Sequence, residues 1–176
     1  MYTNEYIKQL QSLHGDKTRP QGFGGKTKKL GKFHHYMNEW TPSSLLDYGC
    51  GKGYILASLK EQYPNTVCDG YDPAVKLFSQ QPTKTFDCVF SNDVLEHIEP
   101  EFINEVLKHI NKLANKFVWL RIDTKPARKT LPDGRNAHLI LETPEWWRDR
   151  IQQTIDGTIL FLQLDKKGKL DVAIKK

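Results

Sequence analysis

Gly49, Gly51 and Gly53 stand at alternate positions behind a short, largely apolar run, Ser44-Leu45-Leu46-Asp47-Tyr48. A glycine turn between a strand and a helix lets a ligand approach the backbone and meet the helix N-terminus. The dinucleotide fingerprint needs a glycine where Tyr54 stands, and no Gly-Lys-Ser/Thr follows, so neither that motif nor a P-loop is present. Asp72 lies 23 positions beyond Gly49. That spacing suits a carboxylate holding the ribose diol of a nucleoside cofactor. A second constellation is Asp93, Glu96 and His97, which on a helix share one face and bring two carboxylates and an imidazole together. The same Asp93 and Glu96 also read as a capping box that needs no ligand. His138 reads equally as a general base, a substrate contact or a packed imidazole.

These residues need elements to hold them. The pattern predicts a helix over 2–13, a Gly- and Lys-rich loop over 15–31, and a helix from Lys32 to Trp40 closed by Pro42. Strands are expected at Ser44–Tyr48, Val67–Tyr71, Phe86–Ser91 and Phe117–Ile122, with a helix from Tyr54 to Tyr63. Behind Pro100, apolar residues from Ile103 to Ala114 recur at three and four, which predicts a strongly amphipathic helix. Thr143 is placed to cap a further helix through Trp147 and Ile151, whose two tryptophans (146 and 147) read as packing. Thr158–Asp165 and Lys169–Ile174 flank Lys166-Lys167-Gly168 as an antiparallel hairpin. Alternating strands and helices imply an α/β fold with a mostly parallel sheet.

The chain has 176 residues, 38% hydrophobic and 27% charged, which suits one globular domain. No apolar run approaches the length of a membrane span, and the polar start is not that of a signal peptide. Cys50, Cys68 and Cys88 are odd in number and lack metal spacing, so a reducing, cytoplasmic location is expected. Charge is uneven within a net +5: residues 1–33 carry seven basic residues against two acids, residues 47–105 four against ten. Segments 121–135 and 165–176 are basic again. A basic periphery serves solubility, or attracts nucleic acid or a phosphorylated metabolite.

Three motifs in order carry a resemblance: Leu45-Leu46-Asp47-Tyr48-Gly49-Cys50-Gly51-Lys52-Gly53, Gly70-Tyr71-Asp72-Pro73, and Phe86-Asp87-Cys88-Val89-Phe90-Ser91-Asn92-Asp93-Val94-Leu95-Glu96-His97-Ile98. Together they resemble class I S-adenosylmethionine-dependent methyltransferases, of the small-molecule type with a V-L-E-H-I segment after the fourth strand. The resemblance runs from about Leu45 to the terminal hairpin and implies a single Rossmann-like domain, residues 44–176, with 1–43 as a helical and loop cover. It also implies S-adenosylmethionine as cofactor. Gly49, Cys50, Gly51 and Gly53 would line its methionine part, and Asp47 would orient its amino group or an intervening water. Asp72 would take the ribose, Pro73 would lie beside the adenine, and Asn92 and Asp93 would sit near the sulfonium.

Only thirteen residues, 73–85, separate Asp72 from Phe86, so the family's third strand must be stunted or missing. Phe23 is a candidate lid residue. Ser91-Asn92-Asp93-Val94 departs from the segment of amino-methylating DNA enzymes, and Cys88 lacks the proline of cytosine-C5 enzymes. Asp93, Glu96 and His97 resemble the E-x-x-E-H metal segment of ubiquinone-pathway and small-RNA 2′-O-methyltransferases, with His138 where the RNA group supplies a further ligand. That resemblance implies Mg²⁺ on Asp93, Glu96, His97 and His138; without a metal, Asp93 and His138 remain the candidate catalytic residues. The expected activity is O-methylation of a small or nucleotide-like anionic acceptor, contacted by basic residues of 128–135. The alternatives are an RNA 2′-O-methyltransferase and a cofactor-binding module without methyl transfer.

Overall fold

The computed structural model describes residues 1–15 and 30–176. Phe23 lies outside the described residues. Among the described residues, six strands form one sheet: β1 (Ser44–Tyr48), β2 (Val67–Tyr71), β3 (Phe86–Asn92), β4 (Ala114–Asp123), β5 (Thr158–Leu164) and β6 (Lys169–Lys175). Their order is β2-β1-β3-β4-β6-β5. The first four run parallel, while β6 pairs antiparallel with β4 and with β5. The C-terminal hairpin is as the sequence indicates.

The family's third strand is missing. Between β2 and β3 the chain makes only a 3-10 turn, Lys76–Phe78, and the Phe78 carbonyl accepts the Asp72 N–H at 3.0 Å. Among the described residues the strand count is therefore six. Chain order reverses across β1 and β3, and a crevice opens at their C-terminal ends, where ligands bind on open sheets of this kind.

Among the described residues, five helices surround the sheet: α1 (Asn4–Gly15), α2 (Phe33–Trp40), α3 (Tyr54–Gln62), α4 (Ile103–Leu113) and α5 (Pro144–Thr154). Strand alternation divides the core between two faces. Val118, Leu120 and Ile122 of β4 meet α4 and α5 through Val106, Ile110, Trp147 and Ile151. Trp119, with Phe90 of β3, turns to the other face against Phe33 and Met37 of α2. Every residue of β3 is buried, as expected of a central parallel strand covered on both sides. Thr143 caps α5, its hydroxyl accepting the Trp146 N–H at 3.2 Å.

α1 packs apart from both faces. The Thr3 hydroxyl accepts the Tyr6 N–H, and Thr3 donates its own N–H and O–H to the Glu99 carboxylate, both at 2.8 Å. Buried Tyr6 meets Leu131 and Ala137, so the helix lies across the loop that follows β4. Among the described residues, no helix is long and apolar enough to cross a membrane.

Candidate active site

The crevice holds a cavity of about 960 Å³. That is at the upper end of the ~300–1,000 Å³ typical of small-molecule sites. One end is the glycine turn after β1. Gly49, Gly51 and Gly53 all adopt the left-handed region, with φ of 83°, 54° and 76°. At Gly49 a Cβ would fall 2.4 Å from Val94 Cγ2, so that position has neither the space nor the backbone conformation for a side chain. Both oxygens of Asp72 accept backbone donors: the Gly51 N–H and the Ala74 N–H, each at 2.9 Å. A carboxylate has about four acceptor sites, so Asp72 braces the turn and keeps acceptors for a ligand hydroxyl.

Asp47 lies behind this turn, 2% exposed, and among the described residues its Oδ2 has no hydrogen-bond partner. Burial, followed by the charge of Asp72, pushes its carboxyl up to about 8. A buried acid with an orphaned oxygen, beside a glycine cradle and a second carboxylate with acceptor sites to spare, fits a cationic nucleoside ligand. Gly49, Cys50, Gly51, Asp72, Pro73, Asn92 and Asp93 line the cavity, whereas Asp47 and Gly53 lie behind its wall.

The segment after β3 is not the helix on which Asp93, Glu96 and His97 would share a face. Asp93 has φ 55°, Leu95–His97 is a single 3-10 turn, and Val94 precedes it without a side-chain cap. Pro100 holds Glu99 extended at ψ 129°, which leaves no room for another turn. The capping box is absent as well, because Glu96 faces inward: its Oε1 accepts the Asp123 N–H at 2.9 Å and its carbonyl accepts the Ile140 N–H at 3.0 Å. Asp93 instead pairs with Lys169 at 2.7 Å, and Lys169 reaches Asp123 at the same distance. Burial opposes the charge of Lys169, but the two carboxylates outweigh it and raise its pKa.

Glu96, His97 and His138 come together across 42 residues of sequence, with one potential ligand atom from each within 4.8 Å of the others. Asp93 is not in this group. Each imidazole is oriented by a carbonyl, His97 Nδ1 by Ala137 at 2.6 Å and His138 Nδ1 by Lys125 at 2.5 Å. A carbonyl only accepts, so Nδ1 of each ring carries a proton. Burial, then His138, lowers His97 to about 3 and keeps it neutral. Glu96 is fully buried, and burial, then Asp93, raises it to about 8; among the described residues its Oε2 has no hydrogen-bond partner. The group offers imidazole and carboxylate donors with backbone-fixed orientation, which is how metal ligands are typically held.

The other walls come from parts of the chain the motifs do not mark. Tyr2, Tyr6, Leu10 and His14 recur every four residues along α1 and its approach, and all four line the cavity. Tyr6 donates its hydroxyl to the His97 carbonyl, tying the helix to the imidazole segment. That period of four is visible in the sequence and was the available signal. Arg128 and Lys129 line the cavity as expected of the basic loop, joined by Lys125 and by Lys166 and Lys167 of the hairpin turn.

Residues 22–161 match the family model described as a methyltransferase domain. Among curated proteins, none matches the chain by sequence. A methyltransferase from Burkholderia thailandensis, the 1,6-didemethyltoxoflavin-N1-methyltransferase with 1,6-didemethyltoxoflavin and S-adenosylhomocysteine bound, superposes with a TM-score of 0.68. It shares 17% identity over 100% of this chain and 91% of its own. The plantazolicin methyltransferase BpumL, in complex with a triazolic desmethylPZN analogue and S-adenosylhomocysteine, gives 0.62 at 12% identity, covering 99% of each chain. Human N-acetylserotonin methyltransferase in complex with SAM gives 0.57 at 12% identity, over 98% of this chain and 56% of its own. With its sheet order, glycine cradle and matched span, the chain belongs to the methyltransferase-domain family and has the class I methyltransferase fold.

Proposed function

We propose that the chain transfers a methyl group from S-adenosylmethionine to a hydroxyl oxygen of a small anionic acceptor, with residues 1–43 covering a core of 44–176. The observation that carries the oxygen assignment is His138, its Nδ1–H held by the Lys125 carbonyl in the wall of the cavity that the glycine cradle closes. S-adenosylmethionine supplies an electrophilic methyl at the β3 end. Asp72 holds the ribose, Asp47 orients the amino group through an intervening water, and Asn92 with Asp93 holds the region of the sulfonium. The acceptor O–H donates to His138 Nε2, which takes the proton as the O–CH₃ bond forms and the S–CH₃ bond breaks. Basic residues at the far rim hold the acceptor's negative charge.

A panel of hydroxylated phosphates and carboxylates, scored by S-adenosylhomocysteine formation, tests this reading. Turnover that falls ~10²–10⁴-fold in His138→Ala, with S-adenosylhomocysteine affinity kept, supports it. Cofactor binding without turnover on any acceptor would favour a binding module instead.

A second reading adds a divalent cation on Glu96, His97 and His138, favoured by the convergence of those three donors. Such an ion supplies a lowered hydroxyl pKa. Two imidazoles and one carboxylate suit a first-row transition metal better than Mg²⁺, which prefers oxygen ligands. Metal content of the purified chain, and loss of turnover in chelator, test it; full activity in excess chelator would remove it. The same cluster beside basic surface also supports RNA as acceptor, which predicts affinity falling steeply with salt.

A further inference from the structure

The hairpin turn between β5 and β6 was not marked by any motif, yet it is built as firmly as the glycine cradle. Asp165 Oδ1 accepts the N–H of Lys167 at 2.8 Å and of Lys169 at 2.9 Å, while its Oδ2 pairs with buried Arg121 at 3.1 Å. The Gly168 carbonyl accepts both the N–H and the hydroxyl of Thr124 at 2.9 Å, joining the turn to the loop after β4. The stem of Lys125 lies flat on Gly168, where a Cβ would come within 2.7 Å of it. That loop is fixed in turn: Asn136 exchanges two 3.0 Å hydrogen bonds with the backbone of Ala127, and His138 holds the Lys125 carbonyl.

Two locked loops therefore face one cavity, one presenting Lys125, Arg128 and Lys129 and the other Lys166 and Lys167. Among the described residues, Lys125, Arg128, Lys166 and Lys167 form no ion pair with a carboxylate; the nearby acids Asp93, Asp123 and Asp165 are spent on Lys169 and Arg121. Four of the five cations are lysines, point charges suited to a multiply charged tetrahedral anion rather than to the planar fork of a carboxylate. Such a concentration of one sign at a cavity mouth also raises the local concentration of its counter-ion.

We propose that Lys166 and Lys167 form, with Lys125, Arg128 and Lys129, a clamp for a phosphate group of the acceptor, so that the substrate class is a phosphorylated small molecule. This deepens the methyl-transfer reading and rests on it. The test is titration of the full chain, saturated with S-adenosylhomocysteine, with inorganic pyrophosphate, malonate and a single-stranded oligoribonucleotide. Pyrophosphate should bind, and K166E/K167E should weaken it at least tenfold while S-adenosylhomocysteine affinity changes less than twofold, which also reports an intact fold. Pyrophosphate that fails to bind, binds the double variant equally well, or is matched by malonate overturns the clamp. An oligoribonucleotide binding over tenfold tighter than pyrophosphate overturns the small-molecule assignment in favour of RNA. Failure of S-adenosylhomocysteine itself to bind overturns the methyl-transfer reading, while the pyrophosphate comparison still decides the clamp.

Discussion

The two ends of the cavity are built on opposite plans. At the glycine end, the turn and its bracing carboxylate come from adjacent strands, and Gly49 to Ala74 span 26 residues. At the other end, α1, the loop after β4 and the hairpin turn converge from positions 2 to 167. A local motif depends on backbone conformations that few residues adopt, so it leaves a signature in residue type. A long-range wall depends on where elements pack, and its lysines and tyrosines have no single required neighbour in sequence. The glycine end should therefore break sharply on mutation, and the far end should degrade by degrees.

The sharpest break is expected at Gly49→Val. The new side chain meets Val94 and must adopt φ near 83°, so S-adenosylhomocysteine binding should vanish in calorimetry. Next comes Asp72→Ala, which removes the brace on Gly51 and the proposed ribose acceptor together; affinity should fall by ~1–3 kcal/mol, about 5- to 150-fold. Unchanged affinity would take Asp72 out of the site.

Asp47 predicts a pH effect with a definite sign. Burial raises it to about 8, so in the free protein it is largely protonated at neutral pH, while a cationic amino group favours the ionised form. Affinity for S-adenosylhomocysteine should rise with pH between about 6 and 8, by at most about tenfold per unit. Asp47→Asn should flatten that profile.

Glu96 predicts a change in stability rather than in cofactor binding. Its folded pKa is raised above the unfolded value, so its contribution to stability is fully present below about pH 4 and lost as pH rises towards 8. His97 is shifted the other way, and its contribution is lost as pH falls below about 6.5. Glu96→Gln keeps an oxygen for the Asp123 N–H but cannot ionise. In metal-free protein its melting temperature should exceed the wild type's at pH 8 and match it at pH 4. A variant less stable at pH 8 would show that the carboxylate has a charged partner in the folded protein.

The same contrast explains what was legible beforehand. The sheet, α4, the Thr143 cap and the absent strand followed from periodicity and from thirteen residues between Asp72 and Phe86. The stretch 93–97 carries residue types that suit a helix, while its backbone is set by Pro100 and by donors from Asp123 and Ile140, both remote in sequence. Asp93, grouped by spacing with Glu96 and His97, belongs to Lys169 some 76 residues away. The α1 stripe and the lysines of the hairpin turn were visible as residues, but nothing local says which surface they face.

One titration bears on all of this: S-adenosylhomocysteine into the full chain and into Asp72→Ala, by calorimetry. Micromolar binding to the wild type, weakened at least fivefold by the substitution, is the expected result. No heat at millimolar ligand, or equal affinity in both proteins, would contradict the glycine cradle as the cofactor site.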